Sequence, residues 1–462
     1  MLGLVKRVFF FGFFFLLSTT SYGFIHESVR IRSLGSDFAG LIEDPYTDVF
    51  RNPAYLAKWD RPVFMTEVQD AQNGVFLANL AVPIKTFRWS IGYQAHGHIT
   101  GLSPASGRQF AGQRVTSDIF PSLKFSSARE FQIIKTILAQ QMDRLTLGAD
   151  IQYIRDWVFE GLTDDSINRA ASRDFYDVYY NQLPTAFQIR TGAIYIFEPN
   201  KTLDLSFRYQ RDRPRLEAFL SGYGDVTYSD SVIYQRFRTV QVIRARSMGH
   251  MDEYVAEASL KYPLGENAYG GVLFSAERTK GLIPIRTTGN DSATSYYSGN
   301  FSGTTDSSIQ HFHWRYKMGI SVTKNLQNKG TVSSGIVLRV TRTREFVNTR
   351  VDSTVRIWQN NNVIRNQQKQ FSFAGEKGLT FTELSVPVGA ELSLKTNLNL
   401  RFGVRPFLFV NNPDETGHYA DLSTTYTLGL GTSLHQHFFV DAVVERDLGN
   451  LQNWQIALRY VF

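Results

Sequence analysis

The chain has 462 residues, no Cys, 14% aromatic residues and a formal charge of +7, with a mean hydropathy of −0.21. The missing Cys excludes a disulfide framework, a thiolate metal site and a lipid-anchored N-terminal Cys. The charge is spread without a basic block, so no nucleic-acid partner is expected, and the hydropathy does not suit a bundle of membrane helices.

At the N-terminus, Lys6 and Arg7 precede the apolar run Val8 to Leu17, and Ser21-Tyr22-Gly23 supplies small residues at a cleavage point. Residues 1–23 therefore read as a secretory signal peptide, the run being about 10 residues against the ~20 of a spanning helix. Residues 24–61 are not strand-like, because Pro45 and Pro53 punctuate short helical patches and Pro62 follows. That stretch is too short for its own core but long enough to plug something wide. Asn52-Pro53 reads as a cap-and-break turn that shapes it, and Phe50, Tyr55 and Leu56 are apolar groups that a greasy ligand would meet.

From Pro62 to the end, apolar residues alternate with polar ones at period 2. Phe76, Ala78, Leu80, Val82 and Ile84 share a face; so do Phe312, Trp314, Tyr316, Met318, Ile320 and Val322, opposite His311, His313, Arg315 and Lys317. The last stretch, Trp454 to Phe462, places Trp454, Ile456, Leu458, Tyr460 and Phe462 on one face. Nearly every strand thus has a large apolar face and a charged one, which suits lipid outside and a wet lumen inside. The alternation is weak only at 131–141. Short turns near Lys85, Asp143, Gly265, Lys395 and His435 alternate with long polar or mixed segments at 98–118, 158–185, 211–252, 278–308 and 344–380, which read as loops. The expectation is an all-β transmembrane antiparallel β-barrel over 62–462, of about 14 strands with 16 as the upper count, in the outer membrane of a Gram-negative-type bacterium. Trp454, Tyr460 and Phe462 are the residues of its sorting signal, which the barrel-assembly machinery would read.

The inward faces hold His313, Arg315, Lys317, Arg401 and Arg405 as cations for a ligand carboxylate. Asp150, Asp204, Glu257, Glu383, Glu391 and Asp441 also face inward, so cross-strand ion pairs are the stronger reading for them. His311 and His313 have no acid at ligand spacing, and no G-x-S-x-G, H-E-x-x-H or phosphate-binding loop occurs. No metal, cofactor or enzyme activity is expected.

The segment from Asp48 to Pro62 contains Asn52-Pro53-Ala54, then Tyr55-Leu56, then Asp60-Arg61-Pro62 just before the first strand. It resembles the N-terminal hatch of the FadL-like family of outer-membrane transporters. Where members carry a Gly/Ala-rich run and consecutive acids, this chain has Phe38-Ala-Gly-Leu-Ile-Glu43-Asp44-Pro45, the mark of a divergent member. The resemblance implies a 14-stranded barrel plugged by residues 24–61, passing long-chain fatty acids or other hydrophobic compounds by diffusion. It also implies a sideways exit through the wall near a strand kink. The competing expectation is a secretion or surface-attachment scaffold with a protein partner at the long loops. A general hydrophilic porin is argued against by the hatch-like segment.

Overall fold

A computed structural model of the chain describes residues 27–69, 75–104, 109–110, 113–114, 124–164, 172–182, 185–198, 200–230, 233–294, 297–327, 329–359, 362–413, 419–445 and 454–462. The expected signal peptide lies outside these residues.

The wall begins with β1 (Val63–Gln69), β2 (Val75–Ile84), β3 (Phe87–Pro104), β4 (Lys124–Met142) and β5 (Leu145–Asp164). It continues with β6 (Ser172–Gln182 and Thr185–Glu198), β7 (Lys201–Arg213 and Arg215–Asp230) and β8 (Ile233–Met248 and His250–Gly265). Then come β9 (Ala268–Thr294), β10 (Tyr297–Asn325), β11 (Gly330–Gln359) and β12 (Asn362–Ser385 and Val388–Lys395). The last four are β13 (Leu398–Pro413), β14 (Tyr419–His435), β15 (Phe438–Glu445) and β16 (Trp454–Val461). The two pieces of β6, β7, β8 and β12 pair with successive stretches of the same neighbour, so each is one strand. Pro214, Gly249 and Val386-Pro387 mark three of the interruptions. Pro cannot donate to a ladder, yet Pro214 and Pro387 still accept through their carbonyls from Gly249 and Gly335, both at 3.0 Å.

β16 pairs antiparallel with β1 from Val63↔Val461 to Gln69↔Gln455 and closes the ring. The barrel has 16 antiparallel strands, the upper of the two expected counts and not the 14 of the resemblance. The extra pairing was hard to count because β4 is apolar on both faces. Ile134 and Leu138 point out, while Phe131, Ile133, Ile137 and Ala139 are buried toward the lumen, which erases the period-2 contrast.

A second correction concerns the expected loops. Much of 158–185, 211–252, 278–308 and 344–380 is strand, and β9, β10 and β11 run for 27, 29 and 30 residues. At ~3.3 Å per residue such strands reach roughly 90–100 Å and must rise well past a bilayer. Beyond the lipid both faces meet water, so the alternation that betrays a strand disappears although the ladder continues. On the opposite side the described strands β15 and β16 have 8 residues each. No helix among the described residues is long and apolar enough to cross a membrane.

The N-terminal segment is built from α1 (Val29–Ser33), α2 (Pro45–Arg51) and a 3-10 turn at Pro53–Lys58. Each starts on a local signal. Ser28 caps α1 by accepting from the Ile31 amide at 3.3 Å. Asp44 accepts from the Tyr46 and Thr47 amides at 3.1 and 2.8 Å, and Pro45 takes the position that needs no donor. Asn52-Pro53 repeats the device, with Asn52 accepting from the Ala54 amide at 2.9 Å.

Candidate functional site

The N-terminal segment lies within the ring, and its apolar side chains complete two clusters with the inner wall. Val49, Ala54, Tyr55, Leu56, Ala57 and Trp59 pack with Val63, Ala81, Ile137, Ala139 and Ile194. Phe50 packs with Met65, Leu77, Phe131, Ile133, Ile154 and Ala186. Higher on the inner face, Ile283, Ile309 and Val347 form another cluster, with Met251 and Ile285 against it.

At six places where the segment comes closest to the wall, the wall residue is glycine. A Cβ on Gly148 would strike Ala54 and Pro53; on Gly192, Asn52; on Gly271, the Leu41 carbonyl; on Gly389 and Gly403, Leu34 and Gly35; on Gly429, Ser33. These positions span β5, β6, β9, β12, β13 and β14, so the fit runs around most of the ring. A glycine inside a strand weakens it unless another backbone must come close, and here one does.

Polar contacts fix the same seating. The Asn52 amide donates to the carbonyls of Ala193 and Leu205 at 3.2 and 3.1 Å, and also to Asp204. Lys261 reaches Asp48 at 3.0 Å and the Tyr55 hydroxyl at 3.3 Å. Arg51 pairs with Glu257 and, at 3.4 Å, with Asp48. Asp37 is buried between Arg339 and Arg405 (3.1 Å) and accepts from Ser385 at 2.8 Å. A further chain runs from Arg30 to Glu391 (2.9 Å), on to Arg401 (2.8 Å) and to Asp441 (2.5 Å). Glu391 and Asp44 hold the Arg30 guanidinium above its ordinary pKa, outweighing the opposing effect of burial. Burial pushes the Tyr46 phenol up to about 12 against the pull of Arg459, whose guanidinium lies 4.5 Å over its ring. Burial, helped by Asp48, pushes the Tyr55 phenol well up.

The expected site residues therefore divide. Phe50, Asn52, Pro53, Ala54, Tyr55 and Leu56 are brought together and buried against the wall. The Phe50 ring sits 3.8 Å under the Lys135 ammonium. His313 lies 3.6 Å from Glu277 and 3.1 Å from the Thr343 hydroxyl; Arg315 pairs with Glu277 at 3.1 Å. Arg401 and Arg405 are consumed by the ion pairs above. Lys317 has no ion-pair partner within 4.0 Å among the described residues. Tyr460 and Phe462 face outward and meet edge to face at 4.9 Å, and the Phe462 amide donates to the Pro62 carbonyl at 3.0 Å. Trp454 opens the same strand.

Sequence reading missed Asp37 and the wall glycines. The one local signal for Asp37 is the Gly35-Ser36-Asp37 turn, where φ is +101°, +57° and +63°. Among the described residues no group of His, Asp and Glu is placed to hold a metal ion.

Together these features define a closed β-barrel with a lipid-facing exterior and an occupied, partly apolar lumen. The chain is similar in backbone to solved transporters, at low identity. For the toluene transporter TbuX of Ralstonia pickettii the identity is 13%, with 96% of this chain and 99% of that chain covered and a TM-score of 0.36. For the toluene transporter TodX of Pseudomonas putida the figures are 11%, 96%, 98% and 0.40. For a Pseudomonas aeruginosa FadL homologue they are 12%, 91%, 95% and 0.38. No family model and no curated protein matches the chain.

Proposed function

We propose that the chain is an outer-membrane barrel of a Gram-negative-type bacterium that passes hydrophobic small molecules by diffusion. In this reading residues 1–23 direct export, residues 24–61 are the hatch, and the final strand is presented to the assembly machinery. The observation that carries it is the apolar inner wall. Phe131, Ile133 and Ile154 beside Phe50, and Ile283, Ile309 and Val347 higher up, point into the lumen, where a hydrophilic channel has polar side chains. Long-chain fatty acids or similar compounds suit that surface, and of the five lumen cations expected from the sequence Lys317 is the one with no carboxylate within 4.0 Å among the described residues. The test is uptake in proteoliposomes. A hydrophobic acid should equilibrate through the barrel while sugars stay out, and a Phe131→Asp/Ile154→Asp variant should lose that uptake. Equal passage of sugars would make it a porin.

A second reading, a scaffold for a secreted or surface partner, is favoured by the height of β9 to β11. The residues of β12 from Asn362 to Gly378 pair with β11 on one side, while among the described residues β13 pairs with β12 from Leu379 to Ser385. Co-purification of a polypeptide with an otherwise empty barrel would favour it.

A further inference from the structure

The outer face of β9, β10 and β11 changes character within one residue pair. From the short-turn end upward, the cross-strand rows are Val272–Ile320–Ile336, Phe274–Met318–Leu338 and Ala276–Tyr316–Val340, with no charge. The next two rows are Arg278–Trp314–Arg342 and Lys280–Phe312–Arg344. Trp314 and Phe312 stack at 5.9 Å and 11°, and Phe346 closes on Phe312 edge to face. An aromatic column thus stands between two columns of cations. The cation columns are two strand spacings apart, roughly 10 Å.

Among the described residues none of the four cations has an ion-pair partner within 4.0 Å. Arg278, Lys280 and Arg342 are exposed and Arg344 is half-buried. The carboxylates near them are occupied or offset. Asp252, across from Lys280, accepts from the Tyr209 hydroxyl at 2.9 Å and lies 3.7 Å from Arg211. Asp306 faces Arg286 at 3.6 Å, and Glu376 stands one row further up, opposite Phe346.

The height of this array matters. From Val322 to Phe312 is ten residues along a tilted strand, which corresponds to an apolar band roughly 25 Å tall. The array therefore sits where acyl chains give way to headgroups, on the side of the tall wall and away from the termini and short turns. Unpaired guanidinium groups at that level bind phosphate oxygens in bidentate fashion, and aromatic faces take acyl or sugar surface.

From this we infer that Arg278, Lys280, Arg342 and Arg344, around Trp314 and Phe312, form a binding surface for the phosphorylated sugar headgroup of an outer-leaflet glycolipid. Two cation columns set apart by an aromatic column match two phosphates carried on a rigid disaccharide better than one small headgroup. The inference uses the outer-membrane reading only to say which leaflet meets this face, and it is independent of what the lumen passes.

The test is native mass spectrometry of the full chain in neutral detergent, titrated with diphosphoryl lipid A, its dephosphorylated form, or phosphatidylglycerol. Lipid A should be retained, the other two at least tenfold less. An Arg278→Gln/Lys280→Gln/Arg342→Gln/Arg344→Gln variant should bind lipid A at least tenfold more weakly, while Lys324→Gln/Lys395→Gln at the opposite rim should bind as the parent does. If the fourfold variant loses the folded barrel's gel mobility, Arg278→Gln/Arg342→Gln carries the same expectation at a several-fold loss. Undiminished binding by the folded variant, equal binding of phosphatidylglycerol, or loss only in the opposite-rim variant would overturn the inference. Because binding is read in detergent, a barrel that fails the uptake test can still pass this one.

Discussion

Inside the barrel Arg339, Arg401 and Arg405 each meet a carboxylate; on the outer face Arg278, Lys280, Arg342 and Arg344 meet none among the described residues. Arg339 and Arg342 lie on one strand, β11, three residues apart, and face opposite solvents. The inner cations are partly buried, so leaving one unpaired would cost several kcal/mol, and acids come from the wall and from the N-terminal segment to prevent it. The outer ones stay hydrated until a partner arrives. Pairing thus separates charges that build the barrel from charges free to bind, a distinction that residue type alone hides.

The strongest way to break the inner set is steric. Gly403 faces the backbone of Leu34 and Gly35, which cannot swing aside as a side chain would. Gly403→Val should unseat the N-terminal segment and raise sugar permeability in liposome swelling from background to that of an open channel. Unchanged swelling would mean that the segment does not seal the lumen. Next comes Asp37→Ala, which strips the shared partner from Arg339 and Arg405. Loss of one side of a buried pair should cost about 3–5 kcal/mol, read as a lower urea midpoint for unfolding in detergent.

The outer face offers a graded test. Met318 lies at mid-band and Trp314 at its upper margin, so Met318→Arg should destabilise by ~2–4 kcal/mol and Trp314→Arg by only ~0–1 kcal/mol. Equal costs would mean that the band is displaced along the strands, and with it the level assigned to the cations.

How much of this was readable beforehand depends on which solvent a residue faces. Lipid demands an unbroken apolar stripe, so the outward residues of β2, β10 and β16 stood out and their register held. The lumen makes no uniform demand. Ion pairs there were anticipated in kind from inward acids and bases, but Asp37, which joins Arg339 and Arg405, lies more than 300 residues from either in the sequence. Wall glycines such as Gly148, Gly271 and Gly403 were hidden because their partner is another segment's backbone, which has no residue type to pattern. Above the membrane, water wets both faces, and strands such as the upper part of β11 took on the composition of loops.

The mildest perturbation is pH. Tyr46 sits between Trp59, 5.4 Å away ring to ring, and the Arg459 guanidinium, and its phenol is pushed up to about 12 by burial. An unfolded tyrosine ionises near 10. Between those values the folded state keeps a proton that the unfolded state has lost, so the contribution is whole below pH 10 and fades as pH rises toward about 12. Apparent stability should therefore slope downward across that window, and Tyr46→Phe should flatten the slope while moving the neutral-pH midpoint little. Absorbance titration of the phenolate gives the second reading. If Tyr46 ionises near 10 in the folded barrel, the pocket between Trp59 and Arg459 is wet, and the N-terminal segment is seated less tightly on β16 than on the glycines of β12 to β14.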